Sequence, residues 1–357
     1  MAASAVAAAI DGQAPRAAAL QAAADIIRDA DALLICTGAG MGVDSGLGTF
    51  RGKMAGIWPP LRAMQRDFSE LSAPVWFESD PRLAWAFWHF RHQAYTKGAP
   101  HAGYDLLAAW GQRMKHGFFS VTSNIDGHWV RTTGVGDEKV LECHGALTHM
   151  QYVNDEGEDD PWPTDDARID ALQVPQWDLQ PGDEVEARVS NGTWLRAVVQ
   201  EGGDLAHHPS GGGSGEFPAA LAVRRPGGED LCRVREGTPL PGDDRGPWRP
   251  AVLMFGDWGV NTRRIDKQES RFQAWARDLP SDAKLAVVEI GAGRAVPTIR
   301  NIAERTTKKF PNASLIRINL EDAGIPAGVG RQRVSIDDLG ALAALQAIDG
   351  LLPGKTS

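Results

Sequence analysis

The sequence predicts an α/β fold: a Rossmann-like parallel sheet with helices on both faces, plus a smaller helical lobe and an inserted small all-β module. The run ALLICT (32–37) is short and uniformly apolar, which is typical of a strand buried on both faces of a sheet. The same pattern recurs at 117–124, 139–145, 251–256, 285–293 and 314–320. Helical segments separate several of these runs, and strands that alternate with helices indicate a parallel sheet.

The chain of 357 residues is long enough for two domains. We predict that residues 14–150 and 248–345 form the Rossmann-like domain, with the helical lobe at about 53–100. Residues 151–175 are acidic and punctuated by proline, which predicts an exposed linker. Residues 176–240 alternate polar and apolar side chains, and we interpret them as the inserted β module.

Charge and cysteine usage exclude several classes of protein. A net charge of -9 (Lys+Arg 37 against Asp+Glu 46) disfavours nucleic acid or an anionic membrane surface as the main partner. No apolar run approaches the ~18 residues that a membrane-spanning helix needs. The three cysteines lie far apart and are odd in number, so we expect no disulfide framework and a reducing compartment, either cytoplasm or nucleus.

Two glycine turns follow predicted strands. At the first, Gly38, Gly40 and Gly42 would expose backbone N–H groups at a helix N-terminus, which favours a pyrophosphate. Val43 stands where the usual dinucleotide fingerprint has its third glycine, so this turn alone fits a tight strand-to-helix connection equally well. The second turn, VVEIGAGRA (287–295), looks like the first motif of a methyltransferase, but too little chain follows it to complete a methyltransferase sheet.

Polar residues also follow predicted strands. Asn124 and Asp126 come after the second strand, so their side chains would reach the ligand crevice of an α/β sheet; a simple turn is the alternative. His144 ends the third strand and precedes Gly145, which would let a ligand approach closely. A histidine titrates near neutral pH and can act as a base, although an isolated histidine is more often structural.

In their order along the chain, these motifs resemble those of the sirtuin family. The family signature G-A-G-x-S-x-x-S-G-I-P-D-F-R appears as GAGMGVDSGLGTFR (38–51). The signature T-Q-N-I-D appears as TSNID (122–126), and H-G appears as His144-Gly145. Several independent motifs that agree in sequence order make this resemblance specific, and it extends over about 20–150 and 248–345.

The C-terminal part of the chain carries the same resemblance. RPAVLMFGD (249–257) is similar to the family's substrate loop, in which Phe255, Gly256 and Asp257 would pair with the substrate peptide as an added strand. IGAGRAVP (290–297) and the Ile-Asn pair that ends at Asn319 are similar to the adenosine side of the family's NAD site.

The resemblance implies NAD as cofactor and the activity of an NAD-dependent protein-lysine deacylase. The acyl oxygen of a modified lysine attacks the nicotinamide ribose, nicotinamide leaves, and the acyl group passes to ADP-ribose. His144 would be the base that deprotonates a ribose hydroxyl, while Asn124 and Asp126 would contact the nicotinamide ribose and amide. The other cofactor-binding residues that the resemblance implies are Gly38, Ala39, Gly40, Gly42, Ser45, Phe50, Arg51, Ser123, Gly291, Ala292, Gly293 and Asn319.

Four departures from the family pattern fall within the site. Gly42 replaces a serine, Gly48-Thr49 replaces Pro-Asp, and Ser123 replaces a glutamine. Gly291-Ala292-Gly293 replaces Gly-Thr-Ser, which removes two hydroxyls near the adenosine ribose. Because the central asparagine, aspartate and histidine remain, we expect a working site with weaker NAD binding or altered substrate choice.

The zinc-binding module of typical sirtuins is missing. The sequence contains no C-x-x-C pair, so we expect no zinc. A site assembled from scattered residues is disfavoured because their spacing is arbitrary; the candidates would be Cys143, His149, His207 or His208, and Cys232. We expect the inserted β module to replace the zinc ribbon as a brace for the helical lobe.

The insert itself contains the turn Asn191-Gly192, a strong hairpin signal, and resembles a Tudor-like barrel. Such folds often read methylated lysine or arginine through an aromatic cage, but between residues 178 and 245 only Trp194 and Phe217 are available. A structural spacer is therefore the favoured interpretation, and a chromatin or other modified protein bound through the insert is the alternative.

Two other functions remain open at this level. The altered loop at Gly48-Thr49 and the missing zinc ribbon are compatible with an NAD glycohydrolase or a mono-ADP-ribosyltransferase on the same scaffold. A non-catalytic scaffold that binds NAD or ADP-ribose is the third hypothesis, against which the presence of His144 argues. For all three we expect neither a membrane nor a specific nucleic acid as partner.

Overall fold

The computed structural model describes residues 2–48, 58–155, 157, 159–210 and 215–353, with side chains from residue 15 onward. The helices are α1 (Ala2–Arg28), α2 (Pro59–Ala63), α3 (Phe68–Leu71), α4 (Trp76–Ser79), α5 (Pro81–Lys97), α6 (Ala102–Gln112), α7 (His128–Arg131), α8 (Asp166–Asp170), α9 (Arg263–Asp278), α10 (Thr298–Lys309) and α11 (Ala341–Asp349). Two short 3-10 helices span Ala39–Ser45 and Asp137–Lys139.

The strands form one parallel and two antiparallel sheets. They are β1 (Ala32–Thr37), β2 (Phe118–Thr122), β3 (Val140–Glu142), β4 (Gly145–Tyr152), β5 (Trp162–Pro163), β6 (Glu184–Val189), β7 (Trp194–Val199), β8 (Leu205–His207), β9 (Ala220–Arg224), β10 (Gly242–Asp243), β11 (Gly246–Val252), β12 (Leu285–Ile290), β13 (Ser314–Ile318) and β14 (Arg333–Ile336). Their contacts divide the chain into two compact units. Of the described residues, 2–48, 98–146 and 264–353 belong to the first unit. Those between 58 and 97 and between 147 and 263 belong to the second.

The first unit contains the parallel sheet that the sequence predicts. Its six strands follow the order β14-β13-β12-β1-β2-β3, and every neighbouring pair is parallel. Strand β1 is confirmed with its predicted bounds.

Both faces of this sheet are covered, which explains why β1 is apolar at every position. Leu33 and Ile35 point to one face and pack with side chains of α1, α6 and α11. Leu34 and Cys36 point to the other face and pack with side chains of α9 and α10. Because successive side chains alternate between the faces of a sheet, a strand covered on both sides needs apolar residues throughout.

The second unit combines the short helices α2 to α5 and α8 with two antiparallel sheets, ordered β10-β11-β4-β5 and β8-β7-β6-β9. The expectation that the run at 251–256 continues the parallel sheet is wrong. Its first residues end strand β11, which pairs with β10 in an antiparallel hairpin where Asp243 lies opposite Gly246. A two-residue connection can join only antiparallel strands.

The insert contains the predicted hairpin and packs on the helices of its own unit. Strands β6 and β7 pair around Asn191-Gly192, with Gly192 at φ 85°. The backbone N–H of Ala220 donates to the Met64 carbonyl (3.0 Å). Arg233 forms ion pairs with Asp80 of the helical segment and with Asp230. These contacts support the brace that we predicted, which stays a proposal.

Trp194 and Phe217, the two aromatic residues between 178 and 245, already have partners. The Arg224 guanidinium lies 3.9 Å from the centre of the Trp194 ring, and Arg224 Nε also donates to Glu186 (2.8 Å). Phe217 packs against the His207 ring at 5.0 Å between centroids. A cation–π partner for Trp194 is thus supplied from within the chain. No helix in the described part of the chain is long and apolar enough to cross a membrane.

Candidate active site

One row of residues crosses the carboxyl end of the parallel sheet. Glu142 lies opposite Thr122, Thr122 opposite Thr37, Thr37 opposite Ile290, and Ile290 opposite Ile318. In each of these five strands, a predicted site residue follows the residue of the row by one or two positions. These residues are Gly38, Ser123, His144, Gly291 and Asn319. The register of the sheet therefore brings together residues that lie far apart in the sequence.

The two glycine turns flank the point where the strand order reverses. Strands β1 and β12 are neighbours, but the chain continues from β1 to β2 on one side and from β12 to β13 on the other. In open α/β sheets, ligands bind in the crevice at such a switch point. The position of these turns fits a dinucleotide, independently of the incomplete glycine fingerprint.

The same two turns are interlocked through their backbones. Gly38 N donates to Ile290 O (2.9 Å), and Gly40 N donates to Gly291 O (3.0 Å). The expectation that the N–H groups of Gly38 and Gly40 face a pyrophosphate is therefore wrong, because the protein uses both. Glycine is needed here for close approach: a Cβ on Gly40 would lie 2.6 Å from Gly291 Cα. That these glycines contact the cofactor in another way stays a prediction.

We expect Gly291→Ala to destabilise the fold and to abolish ligand binding at this edge. Gly291 has φ 63°, and its new Cβ would lie 2.5 Å from the Gly40 backbone. Left-handed strain and backbone overpacking together cost about 2–4 kcal/mol. Gly293→Ala is the matched control, because its Cβ would meet no atom of the described part of the chain within 4 Å. Urea unfolding measures both, and equal stability of the two variants would contradict the interlocked geometry.

Two side-chain donors stabilise the glycine turn that follows β12. The Ala292 carbonyl accepts from Asn319 Nδ2 (3.0 Å) and from Arg300 Nε (2.9 Å). Asn319 thus has a defined orientation, with its amide nitrogen directed to the turn. No atom of the described residues lies within 4 Å of a Cβ built on Gly293, which is compatible with a ligand there.

The first turn continues into the 3-10 helix Ala39–Ser45, which ends at Gly46 with φ 80°. Asp44 Oδ2 accepts from Leu342 N (2.8 Å), and Ser45 Oγ accepts from His101 N (3.0 Å). Gly42 is buried beneath Leu47, so a serine there would press on that side chain at 3.3 Å. Two predicted cofactor residues of this loop, Phe50 and Arg51, lie outside the described residues.

Asn124 and Asp126 follow β2 at the carboxyl edge of the sheet. Asn124 is half-buried, and its backbone N–H donates to Thr122 Oγ1 (3.1 Å). Asp126 is buried and accepts from His128 N (2.9 Å). Burial raises the pKa of the Asp126 carboxyl from 3.8 to about 6, although the His128 hydrogen bond and the Arg131 charge oppose this rise. A buried carboxyl group with a raised pKa is a candidate for a functional residue.

His144 lies beyond the end of β3, half-buried, with Nε2 3.3 Å from Thr298 Oγ1. Burial lowers the pKa of this imidazole below 6.5, and a hydrogen bond with the Ser123 backbone opposes the shift. The ring is therefore mainly neutral at pH 7, which is the form that a general base requires. Thr298 was not identified from the sequence.

Helix α9 anchors the strand that carries His144. Arg264 Nη2 lies 2.6 Å from Glu142 Oε2, and the Glu142 backbone N–H donates to Gln268 Oε1 (3.0 Å). The same Arg264 also binds Asp137 (2.9 Å) at the start of the strand. These residues were not predicted from the sequence. Helix α9 has the charged pattern of an exposed helix, and nothing in that pattern indicates that Arg264 pairs with the buried Glu142.

The predicted substrate segment lies in the second unit, in a tight loop after β11. The Asp257 carboxylate is buried; it pairs with Arg249 and accepts from Met254 N (3.2 Å) and Gly259 N (3.0 Å). Asp257 therefore shapes the loop and does not project from it. Phe255 is half exposed, and Trp258, which the prediction did not include, is 99% exposed.

The described residues contain no group of three or more His, Cys, Asp or Glu side chains that could hold a metal ion. Cys143 donates its thiol to Thr122 O (3.1 Å), and burial raises the pKa of this thiol to about 12. Cys36 and Cys232 are buried and free. All three side chains are accounted for as packed thiols.

Comparison with known proteins adds three findings. The model of the Sir2 family matches residues 38–176. The chain is 31% identical over 121 residues to an NAD-dependent protein deacylase of Aquifex aeolicus (strain VF5), which covers 34% of this chain and 46% of that protein. It is 31% identical over 164 residues to the NAD-dependent protein deacylase sirtuin-5, mitochondrial, of Monodelphis domestica, which covers 41% and 49% respectively. The chain thus spans about half the length of the curated relatives it matches.

Solved structures extend the similarity of the fold to most of the chain. A Sir2 homologue crystallised as its NAD complex superposes with a TM-score of 0.52 at 16% identity, over 92% of this chain and 92% of that one. At this level of identity the match establishes the fold alone, and it does so for both the N-terminal and the C-terminal segments of the parallel sheet.

Proposed function

We propose that the chain is a member of the Sir2 (sirtuin) family, whose model matches residues 38–176, and that it is an NAD-dependent protein-lysine deacylase. It would transfer the acyl group of a modified lysine to ADP-ribose and release nicotinamide. The observation that carries this proposal is the row at the carboxyl end of the sheet, which places Gly38, Ser123, His144, Gly291 and Asn319 along one edge.

NAD, when bound, would supply an activated ribose carbon from which nicotinamide can leave. His144 would accept a proton at Nε2, because its pKa is lowered by burial and the ring is neutral at pH 7. The contact of Nε2 with Thr298 Oγ1 (3.3 Å) would help to orient the ring. The protein thus contributes one base whose protonation state suits proton removal at neutral pH.

Asn124 and Asp126 would bind the nicotinamide end of the cofactor. Asp126 is buried, and its carboxylate gains a polar partner when a ligand amide arrives. Asn124 offers both a donor and an acceptor from one amide. Ser45 and Asn319 would contact the cofactor at the first and second glycine turns, together with Gly38, Ala39, Gly40, Gly42, Ser123, Gly291, Ala292 and Gly293.

The acylated lysine of a protein would be bound by the loop of the second unit. Phe255 and Gly256 would pair with the peptide as an added strand, in which Phe255 would contribute its carbonyl, because Phe255 N already donates to Ser72 O (2.9 Å). Asp257 would act indirectly, because its ion pair with Arg249 and its two backbone hydrogen bonds hold the loop in shape.

Nicotinamide release is the test of this proposal. The protein is incubated with NAD and an acetyl-lysine peptide, and in parallel with NAD alone. We expect release that depends on the peptide, with formation of the deacetylated peptide in equal amount. Release without peptide would instead identify an NAD glycohydrolase, and NAD binding without release would identify a scaffold.

We further propose that the enzyme works without zinc and in a reducing compartment. The lack of a C-x-x-C pair in the sequence supports the first statement, and the odd number and wide spacing of the three cysteines support the second. The insert would act as a structural brace and not as a reader domain, which the Arg224–Trp194 contact supports. Elemental analysis that finds stoichiometric zinc in active protein would contradict the first statement.

A further inference from the structure

His101 occupies the N-cap position of helix α6 and makes two side-chain hydrogen bonds. Its Nδ1 accepts from Gly103 N (3.0 Å), and its Nε2 lies 2.9 Å from the Met41 carbonyl oxygen. An acceptor nitrogen carries no proton in a neutral imidazole, so Nε2 carries it and donates to Met41 O. The residue is only 8% exposed, and the ring packs edge-on against Tyr104 at 5.0 Å.

Both segments that His101 joins belong to the first unit, and one of them is the first glycine loop. Met41 lies within the 3-10 helix Ala39–Ser45 and is fully buried. A second connection reaches the end of the same helix, since His101 N donates to Ser45 Oγ (3.0 Å). His101 therefore contacts the loop at two points, through its ring and through its backbone.

The bond to Met41 determines more than helix capping. The neighbouring carbonyls of Gly42 and Val43 are used by backbone N–H groups that close the loop, Leu47 N and Gly46 N. The imidazole supplies the donor for the Met41 carbonyl. Without that donor the buried Met41 carbonyl loses its hydrogen bond to the start of α6, which favours a shift of the loop relative to that helix.

We propose that His101 is a positioning residue for NAD: it holds the loop Ala39–Ser45 in the conformation that binds the cofactor and does not itself contact the substrate. This inference rests on the proposed function, because it assigns a second role within the same site. It separates two effects of one side chain, the capping of α6 through Nδ1 and the fixing of the loop through Nε2.

Two substitutions divide these effects. In His101→Asn the side-chain amide takes about the position of Nδ1, so it can still cap α6, since asparagine is among the best N-cap residues. It is too short to reach Met41. In His101→Gln the amide nitrogen takes about the position of Nε2 and can still donate to Met41 O, while the cap is lost.

The experiment measures NAD binding by calorimetry, thermal unfolding, and hydrogen exchange of the full chain. For His101→Asn we expect a small loss of thermal stability, because a buried hydrogen bond is removed, together with NAD binding weakened roughly 10-fold and faster exchange confined to residues 39–48; a factor of this size corresponds to one lost hydrogen bond. For His101→Gln we expect near-native NAD affinity with faster exchange in 102–112. At saturating NAD, both variants should retain the wild-type kcat.

The outcomes decide between the two claims. If His101→Asn binds NAD with wild-type affinity and only His101→Gln, in which α6 is destabilised, binds NAD more weakly, the positioning role is wrong. The deacylase proposal would stand in that case. Failure of the wild-type protein itself to bind NAD would overturn the proposed function and this inference with it. Ser45→Ala serves as a second variant: combined with His101→Asn, it should weaken NAD binding further without change in α6 exchange.

Discussion

Replacement of His144 by alanine is expected to lower kcat for nicotinamide release by about 100-fold or more, while NAD binds as before. A positioned general base contributes roughly 10²–10⁴-fold to a rate, and the lowered pKa of the His144 ring suits it to this role at pH 7. The measurement is the steady-state rate with NAD and an acetyl-lysine peptide, with calorimetry of NAD binding alongside.

Thr298→Val is the control for the surroundings of the ring. It removes the hydroxyl that lies 3.3 Å from Nε2 but keeps the imidazole, so we expect a rate close to that of the wild type. Should His144→Ala retain more than about a tenth of the wild-type kcat, another group would have to be the base, and the assignment of His144 would be wrong.

Substitution Asp126→Asn is expected to stabilise the fold at pH 7.5 while it impairs the enzyme. Below pH 3.8 this carboxyl is protonated in both the folded and the unfolded state and has no effect. Between pH 3.8 and about 6 only the unfolded state ionises, so the free energy of unfolding falls as pH rises. Above about pH 6 the full cost applies, about 3 kcal/mol for this pKa difference.

Chemical unfolding of the wild type and the variant at several pH values measures this effect. Asparagine can still accept from His128 N but carries no charge, so the stability difference should grow between pH 4 and pH 6 and level off above pH 7. We expect the KM for NAD to rise about 10- to 100-fold, because hydrogen bonds to charged groups contribute about 1.5–3 kcal/mol.

Asp137→Asn is the matched control for the same chemical change. Burial alone would raise the pKa of Asp137, but its hydrogen bonds with Gln268 and Arg271 and the charge of Arg264 together lower it. Removal of this carboxylate should therefore destabilise the protein at pH 7.5, opposite in sign to Asp126→Asn. If Asp126→Asn also destabilised the protein, burial of the ionised Asp126 carboxylate would not carry the free-energy cost that the structure indicates.

The parallel sheet was predictable because its strands carry their signal locally. Strand β1 is apolar at every position and is followed at once by glycine, and the hairpin at Asn191-Gly192 is marked by its turn residues. Polar residues after the second and third strands could be assigned to one edge, because all carboxyl ends of a parallel sheet lie on the same side.

Most of the predictions that were wrong concern residues whose hydrogen-bond partners are distant in sequence. The apolar run of β11 looks like the other strands, and only its short connection to β10 makes it antiparallel. The N–H groups of Gly38 and Gly40 bind carbonyls about 250 residues further along, which no local pattern reveals. His101 was missed, although a polar residue after Pro100 and before a helical run is a capping signal that could have identified it.

The interlocked glycine turns have a consequence for the order in which the protein matures. Strand β1 can pair with β2 early in translation, but its other neighbour, β12, is synthesised much later. The carbonyls that receive Gly38 N and Gly40 N exist only once residue 291 has been added to the nascent chain. On the ribosome, the first glycine turn therefore lacks these hydrogen-bond partners for most of synthesis. The edge of the sheet at which we propose that NAD binds is therefore completed only after residue 291 has been synthesised.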